Sequence, residues 1–210
     1  MAIAALFRHQ PPSRSASKLD SKALDQLFRE ARTHNGWRPI EVPEKLLQEA
    51  VELAKMGPTS ANASPLRLVF VRSPEAKSRL RGALMPGNVD KTMAAPVTAI
   101  LGYDTKFYEQ LPRLFPHVDA KAWFVGNAAF ANDTAYKNGT LQVAYFILAL
   151  RSLGLDAGPM TGFDNATVDA EFFPGGTIKS NVLINIGYGD PVQLFPRGPR
   201  LEFGEIASFV

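Results

Sequence analysis

The stretch TAYKNGTLQVAYFILALRSLGLDAGPMTGFD, residues 134–164, joins two patterns at one glycine. Residues 134–153 are apolar around most of a helical circumference, as expected of a helix running through a core or a subunit interface. Gly154 breaks that pattern, and residues 155–160 read as a strand leading into a loop. Asp164 stands where an N-cap would begin a further helix over 165–172.

Upstream, Leu24, Leu27, Phe28 and Ala31 recur at spacings of three and four, which predicts an amphipathic helix over 19–32 with Asp20 or Ser21 as its cap. A second helix follows Pro43, with Leu46, Leu47, Ala50, Val51 and Ala54 as its stripe and Gly57-Pro58 as its stop. Residues 66–72 and 97–103 read as strands, and Ser73-Pro74-Glu75 opens a short helix to about 84. Residues 106–131 hold Phe107, Tyr108, Phe115, Trp123, Phe124 and Phe130 without a clean period and read as a partly helical insertion. A last central strand over 182–188 precedes an extended C-terminal segment. Helices and strands do not alternate strictly, so an α+β layered fold is expected. Residues 1–18, rich in Pro, Ser and Arg, read as a mobile tail, and 19–210 as a single domain.

Composition narrows the chemistry. The 210 residues are 46% hydrophobic, enough for a substantial core, and the formal charge of +3 is too small an excess to mark a nucleic-acid binder. With no cysteine, thiolate catalysis, Cys-ligated zinc and iron–sulfur clusters are excluded. Redox chemistry would need a bound organic cofactor. The three histidines, His9, His34 and His117, have no metal-site spacing, and neither a Gly-x-Ser-x-Gly elbow nor a Walker loop occurs. No apolar run reaches about 18 residues, so no membrane span is expected, and charged residues from Arg8 onward interrupt any secretory signal. These features lead us to expect a cytoplasmic protein.

Three segments concentrate loop residues with free donors. The segment 57–65, Gly-Pro-Thr-Ser-Ala-Asn-Ala-Ser-Pro, offers hydroxyls and amides to a phosphate, a ribityl chain or a ring edge, though an ordinary polar turn has the same composition. In the segment 158–164, glycines flank Thr161 and would let backbone N–H groups approach a planar ligand, though a tight strand-to-helix connection also uses them. Arg197 and Arg200, joined by Arg32, would suit a phosphate, or would be solvated surface arginines. His34 is either a proton donor near a substrate or a cap on backbone carbonyls.

In this order and at these separations, Arg32, the loop Pro58-Thr59-Ser60-Ala61-Asn62-Ala63-Ser64-Pro65, the segment Leu153-Gly154-Leu155-Asp156-Ala157-Gly158-Pro159-Met160-Thr161-Gly162-Phe163, and Arg197 with Arg200 resemble the FMN signature of the nitroreductase superfamily. The resemblance runs from about residue 22 to the C-terminus. Ala31-Arg32-Thr33-His34-Asn35-Gly36-Trp37 and Leu111-Pro112-Arg113-Leu114-Phe115-Pro116-His117 bring it nearest to the malonic semialdehyde reductase branch of bacterial pyrimidine degradation. The chain departs from the wider family at Thr33-His34, where Arg-Ser is usual, and at Ser64, where Gln is usual.

The resemblance implies a central, mostly antiparallel sheet flanked by helices in an intertwined homodimer, with FMN at the subunit interface and NADH or NADPH as the hydride source in ping-pong turnover through flavin N5. It implies FMN contacts from Arg32, Thr33, His34, Pro159, Met160, Arg197 and Arg200, with the backbone of Thr161 and Gly162 near N5. Asn88 and Lys91 would reach the O2–N1 edge, where positive charge stabilises reduced flavin. Pro58, Thr59, Ser60, Asn62 and Ser64 would come from the second subunit. His34, Trp37 and Phe124 are the candidate substrate contacts. Reduction of malonic semialdehyde to 3-hydroxypropionate is the expected reaction. A broad nitroaromatic or quinone reductase is the alternative, and a flavin-binding protein without turnover stands behind both.

Overall fold

A computed structural model describes residues 17–210, so the tail expected over 1–18 lies, but for its last two residues, outside the described residues. Four strands, β1 (Leu66–Val71), β2 (Val97–Asp104), β3 (Asp156–Met160) and β4 (Ile178–Gly187), form one sheet in the order β1-β2-β4-β3. Every pairing is antiparallel, and the strand nearest the C-terminus is central as expected.

The period-two alternation of the strands sorts side chains between two layers. Val97, Ala99 and Leu101 of β2 and Ile184 and Ile186 of β4 face a layer built from α2 (Glu44–Ala54) and α6 (Ala128–Ser152). Ile100 and Leu183 face the other way, onto α3 (Pro74–Arg81), α4 (Pro86–Ala94) and α7 (Asn165–Phe172). Phe107, Leu111, Phe124 and Ala131 close a third, aromatic cluster beyond the sheet. The fold is therefore α+β, an antiparallel sheet between helices. Among the described residues no helix is long and apolar enough to cross a membrane.

Two expectations need correction. The helix read over 19–32 is only α1 (Ser21–Leu24), capped by Asp20, followed by one π turn at Asp25–Arg29. None of its residues is buried, and Phe28 is 53% exposed, so no packing extends the helix through Arg32. The core helix α6 begins at Ala128, six residues earlier than its apolar run, because Asn127 caps it by accepting from Phe130 N–H at 3.1 Å. Residues 106–131 are partly helical as expected, with two short 3₁₀ turns and α5 (Leu111–Leu114) before α6 starts. The helix α4 occupies residues 86–94, for which the sequence reading gives no element; Pro86 sits at its first turn, where its fixed φ and missing N–H are harmless.

Candidate functional site

After α1 the chain runs beside the edge strand β3: Thr33 bridges Ala157, and His34 N–H donates to Ala157 O at 3.3 Å. This places Arg32 at the sheet edge. The C-terminal segment returns to the same place, where Arg197 Nη2 donates to Ala31 O at 3.0 Å and Arg32 Nη2 donates to Phe195 O. Between them opens a cavity of ≈ 350 Å³ lined by Arg32, Arg151, Arg197, Arg200 and Thr33. None of the four arginines forms an ion pair among the described residues. Each instead spends part of its guanidinium on backbone carbonyls, Leu27 for Arg151 and Gly198 and Pro199 for Arg200.

Such a cluster has donors and positive charge in excess of its internal partners, the condition for taking an anion. Arg151 shows this most clearly, because its Nε is buried without a partner. Burial lowers its affinity for the proton, Asp156 opposes that, and the neighbouring charge of Arg197 adds to it. Arg151 had not been singled out: at the end of an apolar helix an arginine reads as a partner for the last carbonyls.

The second group gathers where β3 ends. Asn88 Nδ2 donates to Gly162 O at 2.7 Å, and a Cβ on Gly162 would lie 2.5 Å from that nitrogen, so the close approach needs glycine. Met160 is buried, with its Sδ 3.6 Å from Thr92 Oγ1, while Thr161 is exposed. Pro159 lies on β3, an edge strand, where the ladder tolerates a residue without N–H. α4 presents Asn88 and Lys91 here and is fastened from beneath. Asn185 Nδ2 donates to Thr92 Oγ1 at 3.2 Å and Thr98 Oγ1 donates to Asn185 Oδ1 at 2.8 Å. Buried Lys77 donates to Thr92 O at 2.7 Å and to Ala95 O, and burial pushes its ammonium down to about 8.

The proposed substrate contacts fall elsewhere. His34 is 7% exposed, its Nε2 is 3.4 Å from Asp156 Oδ1, and its Nδ1 has no partner. It is packed so closely on Gly189 that a Cβ there would lie 2.0 Å from Nδ1. His34 is thus wedged against Gly189, caps no carbonyl with its ring among the described residues, and lines a cavity of ≈ 390 Å³ with Arg32, Arg151 and Asp156. Trp37 is half-buried, and its Nε1 donates to Lys91 O at 3.2 Å, joining the segment after Arg32 to α4. Phe124 is 4% exposed, 4.9 Å ring to ring from Phe107, so it belongs to the core; Trp123 and Phe130 beside it are about half exposed.

The loop 58–65 is clamped by α6. Tyr145 OH donates to Pro58 O at 3.1 Å, Ser60 N–H donates to Asn138 Oδ1 at 2.8 Å, and Asn62 Nδ2 donates to Leu114 O at 2.9 Å. Ser64 N–H donates to Thr59 Oγ1 at 3.2 Å, and Ala61, Asn62 and Ser64 hold positive φ of 43–50°. Backbone strain at three non-glycine positions in one loop marks a shape maintained by its surroundings. The loop feeds β1, whereas Arg32 and the 158–162 segment lie at β3. β1 and β3 are the two edges of the sheet, three strand spacings apart, about 14 Å across the ladder. Within one chain the structure therefore assembles the arginines, β3 and α4 on one side and leaves the 58–65 loop on the other.

The Nitroreductase family profile matches residues 29–188. A Burkholderia lata protein named "Putative NADH dehydrogenase/NAD(P)H nitroreductase" is 62% identical over 189 residues, spanning 90% of this chain and 97% of its own. A Stenotrophomonas maltophilia protein of the same name is 62% identical, spanning 90% and 96%. Among solved structures, the nitroreductase ydfN of Bacillus subtilis superposes with a TM-score of 0.80 at 20% identity, over 91% of this chain and 100% of its own. A "putative nitroreductase in complex with FMN" from Exiguobacterium sibiricum also gives 0.80, at 19% identity over 92% and 99%. The profile match over residues 29–188 and the 62% identity to relatives covered over nearly their whole length show that the chain belongs to the nitroreductase family.

Proposed function

We propose that this protein is an FMN-dependent NAD(P)H oxidoreductase working as a homodimer, each site combining the arginine cleft of one subunit with the 58–65 loop of the other. The carrying observation is the arginine cleft: four guanidinium groups without carboxylate partners around one cavity, one of them with a buried, unpartnered Nε. An FMN phosphate fits that donor set in charge and hydrogen-bonding capacity. The relatives named for NAD(P)H and the neighbour in complex with FMN support the choice of cofactors.

Bound flavin would supply the hydride-accepting and hydride-donating centre. The chain's own residues bind and orient. Arg32, Arg197 and Arg200 are assigned to the phosphate, Asn88 and Lys91 to the O2–N1 edge, and the Thr161-Gly162 backbone to the N5 edge. The ties of α4 to Trp37, Asn185 and Lys77 keep Asn88 and Lys91 in place, so the polar groups need little reorganisation when charge develops. Thr59, Ser60, Asn62 and Ser64 of the partner subunit would complete the site. The apolar surface a dimer needs is present on the long helix, where Phe130, Tyr136 and Leu141 are each about half exposed, and on the C-terminal segment at Phe203, Ile206 and Phe209.

For the acceptor we assign a small aldehyde, malonic semialdehyde, on the sequence resemblance of residues 31–37 and 111–117. A broad nitroaromatic reductase is favoured by a different observation, the exposed rings of Trp123 and Phe130. An anaerobic absorbance series tests both readings. A flavin spectrum that NADH bleaches, and that malonic semialdehyde restores faster than nitrofurazone, supports the first; faster recovery with nitrofurazone supports the second. Protein that FMN cannot reconstitute overturns both.

A further inference from the structure

We propose that Arg151 is a fourth phosphate-side cation, which makes the cleft select the phosphorylated flavin over riboflavin. The assignment rests on the flavin reading above and adds a residue that carries its specificity.

Arg151 sits at the end of α6, outside the segments that carry Arg32, Arg197 and Arg200, yet it lines the same cavity. It also lines the adjoining cavity of ≈ 390 Å³ with Arg32, His34 and Asp156, so it stands at the junction of the two. Among the described residues only its Nη1 has a partner, Leu27 O at 3.0 Å, while its Nε is buried and unsatisfied. A buried donor left unpaired is costly, and a guanidinium left unpaired is more so. No carboxylate forms an ion pair with it among the described residues; the nearby charge of Asp156 favours its protonated form, and burial and the charge of Arg197 oppose it. A dianion entering the cleft would offset the like charges of Arg151 and Arg197 and, with the Arg151 side chain turned toward it, would accept from the guanidinium, the Nε–H included. An uncharged hydroxyl at the same end of a ligand would satisfy less and neutralise nothing, and that difference is the source of selectivity.

The test is a titration of apoprotein with FMN and with riboflavin, followed by flavin fluorescence, in the unsubstituted protein, Arg151→Gln and Arg151→Lys. The proposal expects Arg151→Gln to weaken FMN at least about tenfold while changing riboflavin less than about threefold, with Arg151→Lys in between. Equal loss for both ligands, or none for either, overturns it. Because Arg151 also ties α6 to Leu27, circular dichroism of each variant is compared, and the unsubstituted protein gives an independent reading: the ¹⁵N resonance of Arg151 Nε shifts with FMN and not with riboflavin. No shift with FMN overturns the assignment even if both variants fail to fold. Unsubstituted protein that binds neither flavin overturns the flavin reading itself and this inference with it; normal FMN binding with an unchanged FMN-to-riboflavin ratio in Arg151→Gln overturns the inference alone.

Discussion

Lys77 donates from Nζ to the carbonyl oxygen of Thr92 at 2.7 Å, so a buried lysine on one helix closes the C-terminal end of the next. Helix C-termini leave carbonyls without internal partners and carry partial negative charge, and a cation there satisfies both. The helix so closed is α4, which bears Asn88 and Lys91.

Burial holds the Lys77 ammonium at about 8, below its ordinary value. Below pH 8 the folded and unfolded chains are both protonated at this group, and it gives no pH dependence. Between about 8 and the unfolded value near 10.4, the unfolded chain binds the extra proton, so stability from this group rises with pH, by at most about 1.4 kcal/mol per pH unit. Urea unfolding of the protein and of Lys77→Met should therefore give a difference that is flat from pH 6 to 7.5 and grows in favour of Lys77 from pH 8.5 to 10. A difference that shrinks over that upper range would contradict the assignment.

The Thr98–Asn185–Thr92 chain predicts a cost out of proportion to the atoms removed. Thr98→Val keeps the volume but leaves Asn185 Oδ1 buried without its donor, at 0–1% exposure on both residues. A loss of about 1–3 kcal/mol in urea unfolding is expected. An unchanged midpoint would mean that the network does not hold α4 to the sheet.

Gly189→Ala should destabilise by about 1–3 kcal/mol, because the new Cβ would lie 2.0 Å from Nδ1 of His34 and the buried ring must be displaced to admit it. Gly82→Ala is the control: nothing lies within 4 Å of its Cβ and its φ is −66°, so stability should be unchanged or slightly raised. Equal unfolding midpoints for the two variants would contradict the packing described for His34.

Arg197→Ala should raise the FMN dissociation constant by about tenfold to a hundredfold, with riboflavin little affected, since a charge-assisted contact to phosphate is what the change removes. Equilibrium dialysis reads both. Equal loss of the two ligands would point to collapse of the C-terminal segment, which Arg197 ties to Ala31.

Much of this arrangement was legible in the sequence because glycines, prolines and caps act locally. Asp20, Ser73 and Asp164 cap the helices they precede, and Gly154 ends the core helix region as its αL conformation allows, φ +76°. Arg32, Arg197 and Arg200 converge although 165 or more positions separate the first from the others. What stayed hidden depends on tertiary partners. α4 opens on Pro86-Gly87-Asn88 and carries little helical signal of its own; Lys77, Asn185 and Trp37 fasten it. Arg151 looks like a helix-end arginine until the C-terminal segment folds over it. Phe124 reads as available to a substrate, and only its packing on Phe107 shows that it is interior.

The most direct test of the shared site is a hybrid dimer of one Arg32→Ala/Arg197→Ala subunit and one subunit altered in the loop at Ser60 and Asn62, purified through two different tags. If each site joins the arginines of one subunit to the loop of the other, the hybrid keeps one intact site: it should bind FMN at half the stoichiometry of the unaltered protein, while neither altered homodimer binds it. A hybrid that binds no better than the altered homodimers would show that arginines and loop act within one subunit, and would contradict the account.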